Sequence, residues 1–285
     1  MNIAIASGKG GTGKTTISMS LASYYADKNI SVAILDCDVE EPNVNLFLQA
    51  PVTEEVRTTV LIPQVDNSLC TGCGKCGEIC EYSAIVLIKD KPLVLKEMCH
   101  SCGGCFLVCP EKAITEISRE TGVVELGEIN GIKYAGGRLN ISEAMSPPLI
   151  KDVKEFYPEA EIRLLDSPPG TSCPVIESVR GCDFLLLVSE PTPFGLNDLK
   201  LAAEMARAMK LPFGIVENRA SEGNTSLKDF CKKEDVPLLA SIPNTREIAV
   251  RYSRGDSVSY IKEKYSSELE RIALHIDSTV KAGVK

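Results

Sequence analysis

The sequence predicts an α/β protein: a mostly parallel sheet flanked by helices, with a small α+β segment inserted after the second strand. Three observations carry this. The chain opens as strand, glycine loop, helix and strand, and two parallel strands joined by a helix imply a sheet with helices on its faces. Strands and helices alternate again from about residue 121 to the end. Between the two stretches helical periodicity gives way to a zone holding eight of the twelve cysteines.

Taken in order, residues 2–6 (NIAIA) read as a strand, Lys14 to about Lys28 as a helix and Ser31–Asp36 as the next strand. After the cysteine-rich zone, strands are predicted at Gly122–Leu126, Ile162–Asp166, Phe184–Val188, Phe213–Glu217 and Pro237–Ile242. Leu196–Met209 has apolar residues at helical spacing, with Asn197 and Asp198 near its start, and reads as a helix covering the sheet. The organisation expected is one α/β domain built from residues 1–62 and 119–285, interrupted by residues 63–118, with junctions at Pro63 and in a turn at Arg119–Gly122. The interruption reads as an internal duplication of about 30 residues, CTGCGKCGEICEYSAI followed by CHSCGGCFLVCPEKAI.

Composition narrows the function classes. Hydrophobic residues make up 44% and charged residues 25%, ordinary for a globular chain, and no apolar run approaches the roughly 18 residues of a membrane span. The early strand leaves no room for a secretory leader, so a cytoplasmic location is expected. With 31 basic and 39 acidic side chains the net charge is −8, which disfavours nucleic acid and anionic membrane as partners. Twelve cysteines beside two histidines, in a reducing compartment, point to metal or redox chemistry and not to disulfides.

Residues Gly8–Thr16 read GKGGTGKTT between a strand and a helix, the context that the phosphate-binding pattern G-x-x-x-x-G-K-[ST] requires. Gly8, Gly10, Gly11 and Gly13 let the backbone of Gly8, Lys9, Gly10, Gly11, Thr12 and Gly13 turn its N–H groups inward. The following helix, opening on Lys14, Thr15 and Thr16, adds its positive end. Lys14 is expected on the β and γ phosphates of ATP and Thr15 on Mg²⁺.

Lys9, directly after the first glycine, gives the loop a deviant form that resembles the MinD, ParA and nitrogenase iron protein superfamily. Further positions are similar: LDCD at Leu35–Asp38, LLDSPPG at Leu164–Gly170, VENR at Val216–Arg219 and IPN at Ile242–Asn244. The resemblance covers nearly all of the chain outside residues 63–118. It implies an ATP-sandwiched homodimer in which Lys9 reaches the nucleotide of the facing subunit, with Lys9, Lys14 and Asp38 catalytic. It also implies that Asp38 positions the attacking water and that Asp166 lies near the metal. Asn218, Arg219 and Pro243 fall on the adenine side.

Cys70, Cys73, Cys76 and Cys80 form C-x-x-C-x-x-C-x-x-x-C, and Cys99, Cys102, Cys105 and Cys109 repeat it, the spacing of bacterial ferredoxins with two 4Fe–4S clusters. Three close cysteines serve one cube and the fourth comes from the other run. One cluster is expected on Cys70, Cys73, Cys76 and Cys109, the other on Cys99, Cys102, Cys105 and Cys80. Zinc, the alternative, needs two pairs and gives no reason for a third cysteine at the next x-x spacing, twice. Glu81 stands where this spacing usually carries proline. His100 reads as an exposed loop residue and His275 as a helix residue. Cys37, Cys182 and Cys231 read as packing residues. Cys173, seven residues after Asp166, lies near the expected nucleotide switch, with no second cysteine to complete a bridging cluster.

The function expected is an ATPase whose nucleotide-driven dimer is coupled, through two clusters, to electron transfer or to docking of a redox or iron–sulfur partner protein. Two alternatives stand beside it. One is an iron–sulfur cluster assembly or carrier ATPase. The other is a MinD-like positioning ATPase with structural clusters, for which the apolar stripe Leu269, Ile272, Ala273, Ile276 and Val280, ending in VKAGVK, offers a membrane-facing helix or, more simply, a core-packed one.

Overall fold

The structure, a computed structural model, describes residues 1–283; the last two residues of the VKAGVK tail, 284 and 285, lie outside that range. The chain begins with β1 (Asn2–Ser7), α1 (Lys14–Asp27), β2 (Val32–Asp36) and α2 (Val44–Leu48). The cysteine-rich stretch follows as β3 (Val52–Val65), α3 (Lys75–Glu78), β4 (Ile85–Ile88), β5 (Lys91–Val94), a 3₁₀ turn (Lys96–Met98), α4 (Gly104–Val108) and β6 (Ile114–Ile129). Then come β7 (Ile132–Leu139), α5 (Pro147–Lys154), β8 (Ile162–Pro169), α6 (Cys173–Val179), β9 (Phe184–Ser189) and α7 (Pro193–Ala208). The last elements are β10 (Phe213–Ala220), α8 (Ser226–Glu234), β11 (Leu238–Pro243), α9 (Arg246–Arg254), α10 (Ser257–Lys264) and α11 (Ser266–Gly283).

A nine-stranded sheet in the order β11-β10-β9-β1-β8-β2-β7-β6-β3 organises the molecule. The first seven strands of that order are mutually parallel, and β6 runs antiparallel to both β7 and β3. Both faces of the parallel part are covered, so its strands are continuous apolar runs. In β1, Ile3 and Ile5 enter one core with α1, α10 and α11, while Ala4 and Ala6 enter the other with α5, α6, α7 and α8. Leu269, Ile272, Ala273 and Ile276 of α11 are buried in the first core, with Val280 packed against it, so the stripe on that helix is a core face.

Three details differ from the sequence expectation. The strands cross both expected junctions: β3 runs on through Pro63 to Val65, and β6 pairs with it from Ile114 to Gly127. Arg119–Gly122, expected as a turn, is strand with a register irregularity at Thr58/Thr59. There the buried hydroxyls of Thr58 and Thr121 lie 3.2 Å apart and Thr58 also donates to the Gly122 carbonyl at 3.1 Å. Gly122 marks close approach, because a Cβ there would sit 2.5 Å from the Arg138 carbonyl oxygen.

Second, β7 is a buried strand interrupted by two glycines that hide its period. A Cβ on Gly137 would meet Val39 Cγ1 at 2.5 Å, so the strand needs a bare backbone where the loop after β2 crosses it. Third, α7 begins at Pro193, earlier than Leu196, because the Thr192 side chain accepts the Gly195 N–H at 3.0 Å and proline occupies the first turn.

The duplication is visible in the fold. Gly74 and Gly103, both at positive φ, open α3 and α4 at matching positions of the two runs. The Cys80 sulfur accepts the Ala84 N–H and the Cys109 sulfur accepts the Ala113 N–H, each at 3.3 Å.

Candidate functional site

The carboxyl ends of the parallel strands, where α/β sheets bind ligands, gather the expected nucleotide residues. The loop leaves β1 at Ser7 and enters α1 through Gly13, at φ 88°; a Cβ there would fall 2.1 Å from Asn218 Nδ2. Asn218, at the end of β10, donates to the Thr12 carbonyl at 2.7 Å and so braces the loop. Pro243 stands beside Ala220 in the β10–β11 register, at the same edge. No acid occupies the first turn of α1, which leaves its positive end free for an anion. The Thr12 hydroxyl is buried without a partner, as a ligand-binding group can be.

Lys14 is buried between Asp166, at 3.3 Å, and Asp38, at 3.8 Å. Asp166, within β8 and fully buried, accepts the Thr15 hydroxyl at 2.6 Å and the Ser18 hydroxyl at 2.8 Å. Asp36 accepts three backbone N–H groups, from Asp38 (3.1 Å), Asn43 (3.0 Å) and Val44 (3.0 Å), and thereby shapes the loop that carries Asp38. Burial opposes the Lys14 charge, but Asp166, Asp38 and Asp36 outweigh it and raise the ammonium above its ordinary value. Burial, aided by Asp166, drives Asp36 well above the usual carboxylate range despite its N–H donors. Asp38 is pushed up to about 6 by burial, with Lys14 opposing. Asp38 and Asp166 face the Lys14 ammonium beside the Thr15 hydroxyl, oxygen donors of the kind a divalent cation such as Mg²⁺ takes.

Lys9 and Arg219 do not point at that centre. Both pair with Glu190 at the end of β9, Lys9 with Oε1 and Arg219 with Oε2 at 3.2 Å. Sequence reasoning missed Glu190, Asp36 and Ser18. Asp36 had a signal, the paired acids of LDCD; Glu190 had none, because its contact with Lys9 spans 181 residues.

The cysteines form two hollows. One is lined by Cys70, Cys73, Cys76 and Cys109. The other is lined by Cys80, Cys99, Cys102 and Cys105. Each takes three cysteines from one run and the last from the other, and all eight thiols are free. Among the described residues no three His, Cys, Asp or Glu side chains stand close enough to hold a single ion. His100 is exposed and stacks on Tyr82 at the second hollow, with ring centroids 3.5 Å apart. His275 lies edge-on to Phe184. Cys37, Cys182 and Cys231 are buried, whereas Cys173, at the start of α6, is exposed.

Comparison with known proteins places this geometry. The family described as the CobQ/CobB/MinD/ParA nucleotide binding domain matches residues 3–258. An uncharacterised protein of Methanocaldococcus jannaschii is 35% identical over 276 residues, covering 95% of this chain and 96% of its own. A cytosolic Fe–S cluster assembly factor homolog of Dictyostelium discoideum is 25% identical, covering 97% and 92%. Among solved structures, the cell division ATPase MinD of Pyrococcus furiosus shares the fold with a TM-score of 0.60 at 20% identity, covering 97% of this chain and 98% of that one. Among the described residues, no helix is long and apolar enough to cross a membrane.

Proposed function

The chain belongs to the CobQ/CobB/MinD/ParA nucleotide-binding family, and from that premise we propose that it is an ATP-hydrolysing iron–sulfur protein. Residues 63–118 would carry two 4Fe–4S clusters, and the nucleotide cycle of a homodimer would control electron transfer to, or docking of, a partner protein. One observation carries the reading: each hollow draws three cysteines from one run and the fourth from the other, in a chain whose Lys14 and Thr15 converge on Asp166. Tetrahedral zinc would draw its sulfurs to about 3.8 Å of one another, from a Zn–S bond near 2.3 Å. Quartets around open hollows fit a larger polynuclear core.

In this reading the loop amides from Gly8 to Gly13 and the Lys14 ammonium hold the phosphates. Thr15 and Asp166 would hold Mg²⁺, which would supply charge neutralisation at the phosphate oxygens. Asp38, with a carboxyl raised toward neutrality, orients the attacking water. Lys9 must leave Glu190 to reach the facing subunit. Asn218, Arg219 and Pro243 border the base. Cys70, Cys73, Cys76 and Cys109 would hold one cluster and Cys99, Cys102, Cys105 and Cys80 the other, and each cluster would supply a one-electron site.

A second reading, a cluster assembly or carrier ATPase, is favoured by relatives with that name. Mixing loaded protein with an apo-acceptor separates the two: retention of the clusters supports the electron-transfer reading, transfer supports the carrier. The positioning reading loses its membrane helix, since the α11 stripe is buried. The decisive experiment is anaerobic EPR of dithionite-reduced protein, followed by redox titration with and without Mg-ATP. Two interacting 4Fe–4S signals with nucleotide-shifted potentials are expected; potentials and partner reduction both indifferent to nucleotide would overturn the coupling.

A further inference from the structure

The loop that carries Asp38 and the cysteine-rich segment are joined by a series of backbone and side-chain contacts as well as by the chain. Just beyond Asp38, the Val39 carbonyl accepts the Leu139 N–H at 2.9 Å and Glu40 Oε1 accepts the Ser146 hydroxyl at 2.9 Å. Both partners border the segment between β7 and α5. That segment is tied to β6, where the Asn140 N–H donates to the Thr121 carbonyl at 2.9 Å. It carries Glu143, whose side chain is only 2% exposed. Glu143 holds Arg119 of β6 through both oxygens: Oε2 accepts from Nη1, and Oε1 from Nη2 at 3.2 Å.

Arg119 in turn reaches the cysteines. In the β3–β6 register it faces Val60, and Val60 shares a small buried cluster with Ile62, Ala84 and Cys99, against which Cys80 packs. Glu97 and the Cys99 thiol lie within electrostatic range of the guanidinium, whose Nε is buried without an acceptor. The two hollows are not equivalent along β3. Leu61 and Pro63 border the Cys80/Cys99 hollow, whereas Val65 borders the Cys70/Cys109 hollow. The Cys70/Cys109 hollow lies two to four residues farther along the β3–β6 ribbon, past the end of β7, roughly 7–13 Å at the rise of a strand.

We propose that the Glu143–Arg119 pair is a positioning element that transmits movement of the Asp38 loop to the Cys80/Cys99 hollow, so that nucleotide state is felt first at that cysteine quartet. This rests on the nucleotide reading above. A contiguous path counts as coupling only when an element with two arrangements is biased from both ends. The loop from Cys37 to Asn43 would be that element: it is held by Asp36 at its root and by Ser146 and Leu139 at its crest. Glu143 and Arg119 would carry its displacement because a partly buried bidentate pair tends to move as one body.

The test is hydrogen–deuterium exchange of the anaerobically prepared, cluster-loaded full chain, with and without the non-hydrolysable Mg-AMPPNP. In the wild type, nucleotide should slow exchange at Lys9–Thr16 and also change it over residues 95–105. In Glu143→Gln the first effect should persist and the second should fall at least threefold. Ser146→Ala removes the side-chain tie at the path's other end, leaving the Val39–Leu139 backbone bond and the Arg119–Glu143 pair intact, and should weaken the second effect likewise should Glu143→Gln fail to fold. A protected loop with a silent 95–105 segment in the wild type, or an undiminished response in the variants, overturns this inference alone. An unprotected loop sinks the nucleotide reading and this inference together.

Discussion

Lys9 of the phosphate loop is ion-paired with Glu190 at the end of β9, within its own subunit. Burial alone would raise the Glu190 carboxyl, but Lys9 and Arg219 hold it below the usual carboxylate range, so the acid stays charged and keeps both cations. In the proposed dimer Lys9 would serve the facing subunit, so dimer formation would have to break the pair that holds it within the monomer.

Glu190→Gln should loosen the clasp. A partly buried pair is worth about 1 kcal/mol, so nucleotide-dependent dimerisation should need roughly fivefold less Mg-ATP. Sedimentation velocity across an ATP titration reads this directly. Dimerisation unchanged or weakened in the variant would mean that Glu190 does not restrain Lys9.

Lys14 and Asp38 should have opposite effects on the nucleotide-free protein. Lys14→Met leaves Asp36, Asp38 and Asp166 without their cation, and stranding buried charge costs about 3 kcal/mol or more, a fall in Tm of roughly 6–12 °C for a chain of this size. Asp38→Asn instead removes a repulsive neighbour of Asp166, so Tm should hold or rise while ATP turnover falls by about 10²–10⁴. Thermal melts beside phosphate release check both. Equal destabilisation by the two variants would contradict the charge balance described.

The raised carboxyls also set a pH dependence. Asp38 goes from an ordinary 3.8 to about 6 on folding, so between those values the folded chain binds more protons than the unfolded one. Stability from this group is therefore lost as pH rises through that window, the reverse of a salt-bridged carboxylate. Asp36, raised by burial and Asp166, extends the loss to higher pH. In nucleotide-free protein the Tm of Asp38→Asn minus that of the wild type should grow between about pH 4 and pH 6 and then level off. A difference flat across that range would show that Asp38 titrates normally.

Much of this was legible in the sequence, and the exceptions have physical causes. The opening β1–loop–α1–β2 could be read because phosphate binding demands glycine and lysine at fixed positions, and the cysteine spacing anticipated which four thiols share each hollow. β7 escaped because Gly136 and Gly137, needed where Tyr134 and Val39 crowd the backbone, erase its alternation. The junctions at Pro63 and Arg119 were misplaced because Val60 and Ile62 alternate with exposed Leu61 across a boundary that composition marks and backbone pairing ignores. Glu190 and Glu143 left no trace, since contacts with Lys9 and Arg119 follow from tertiary packing and not from any local period.

The exchange of the fourth cysteine between runs makes the last prediction. Cys109 borders the hollow of Cys70, Cys73 and Cys76, and Cys80 that of Cys99, Cys102 and Cys105. Cys109→Ser and Cys70→Ser should therefore lose or degrade the same cluster and leave the same residual EPR signal, with iron falling from about eight to about four per chain where the cube is lost. Cys80→Ser should match Cys99→Ser instead. Each residual spectrum should lack the magnetic interaction of the wild type, because one partner is gone. Were the runs to bind their clusters independently, Cys80→Ser would pair with Cys70→Ser, and the spectra would reveal the exchange of partners directly.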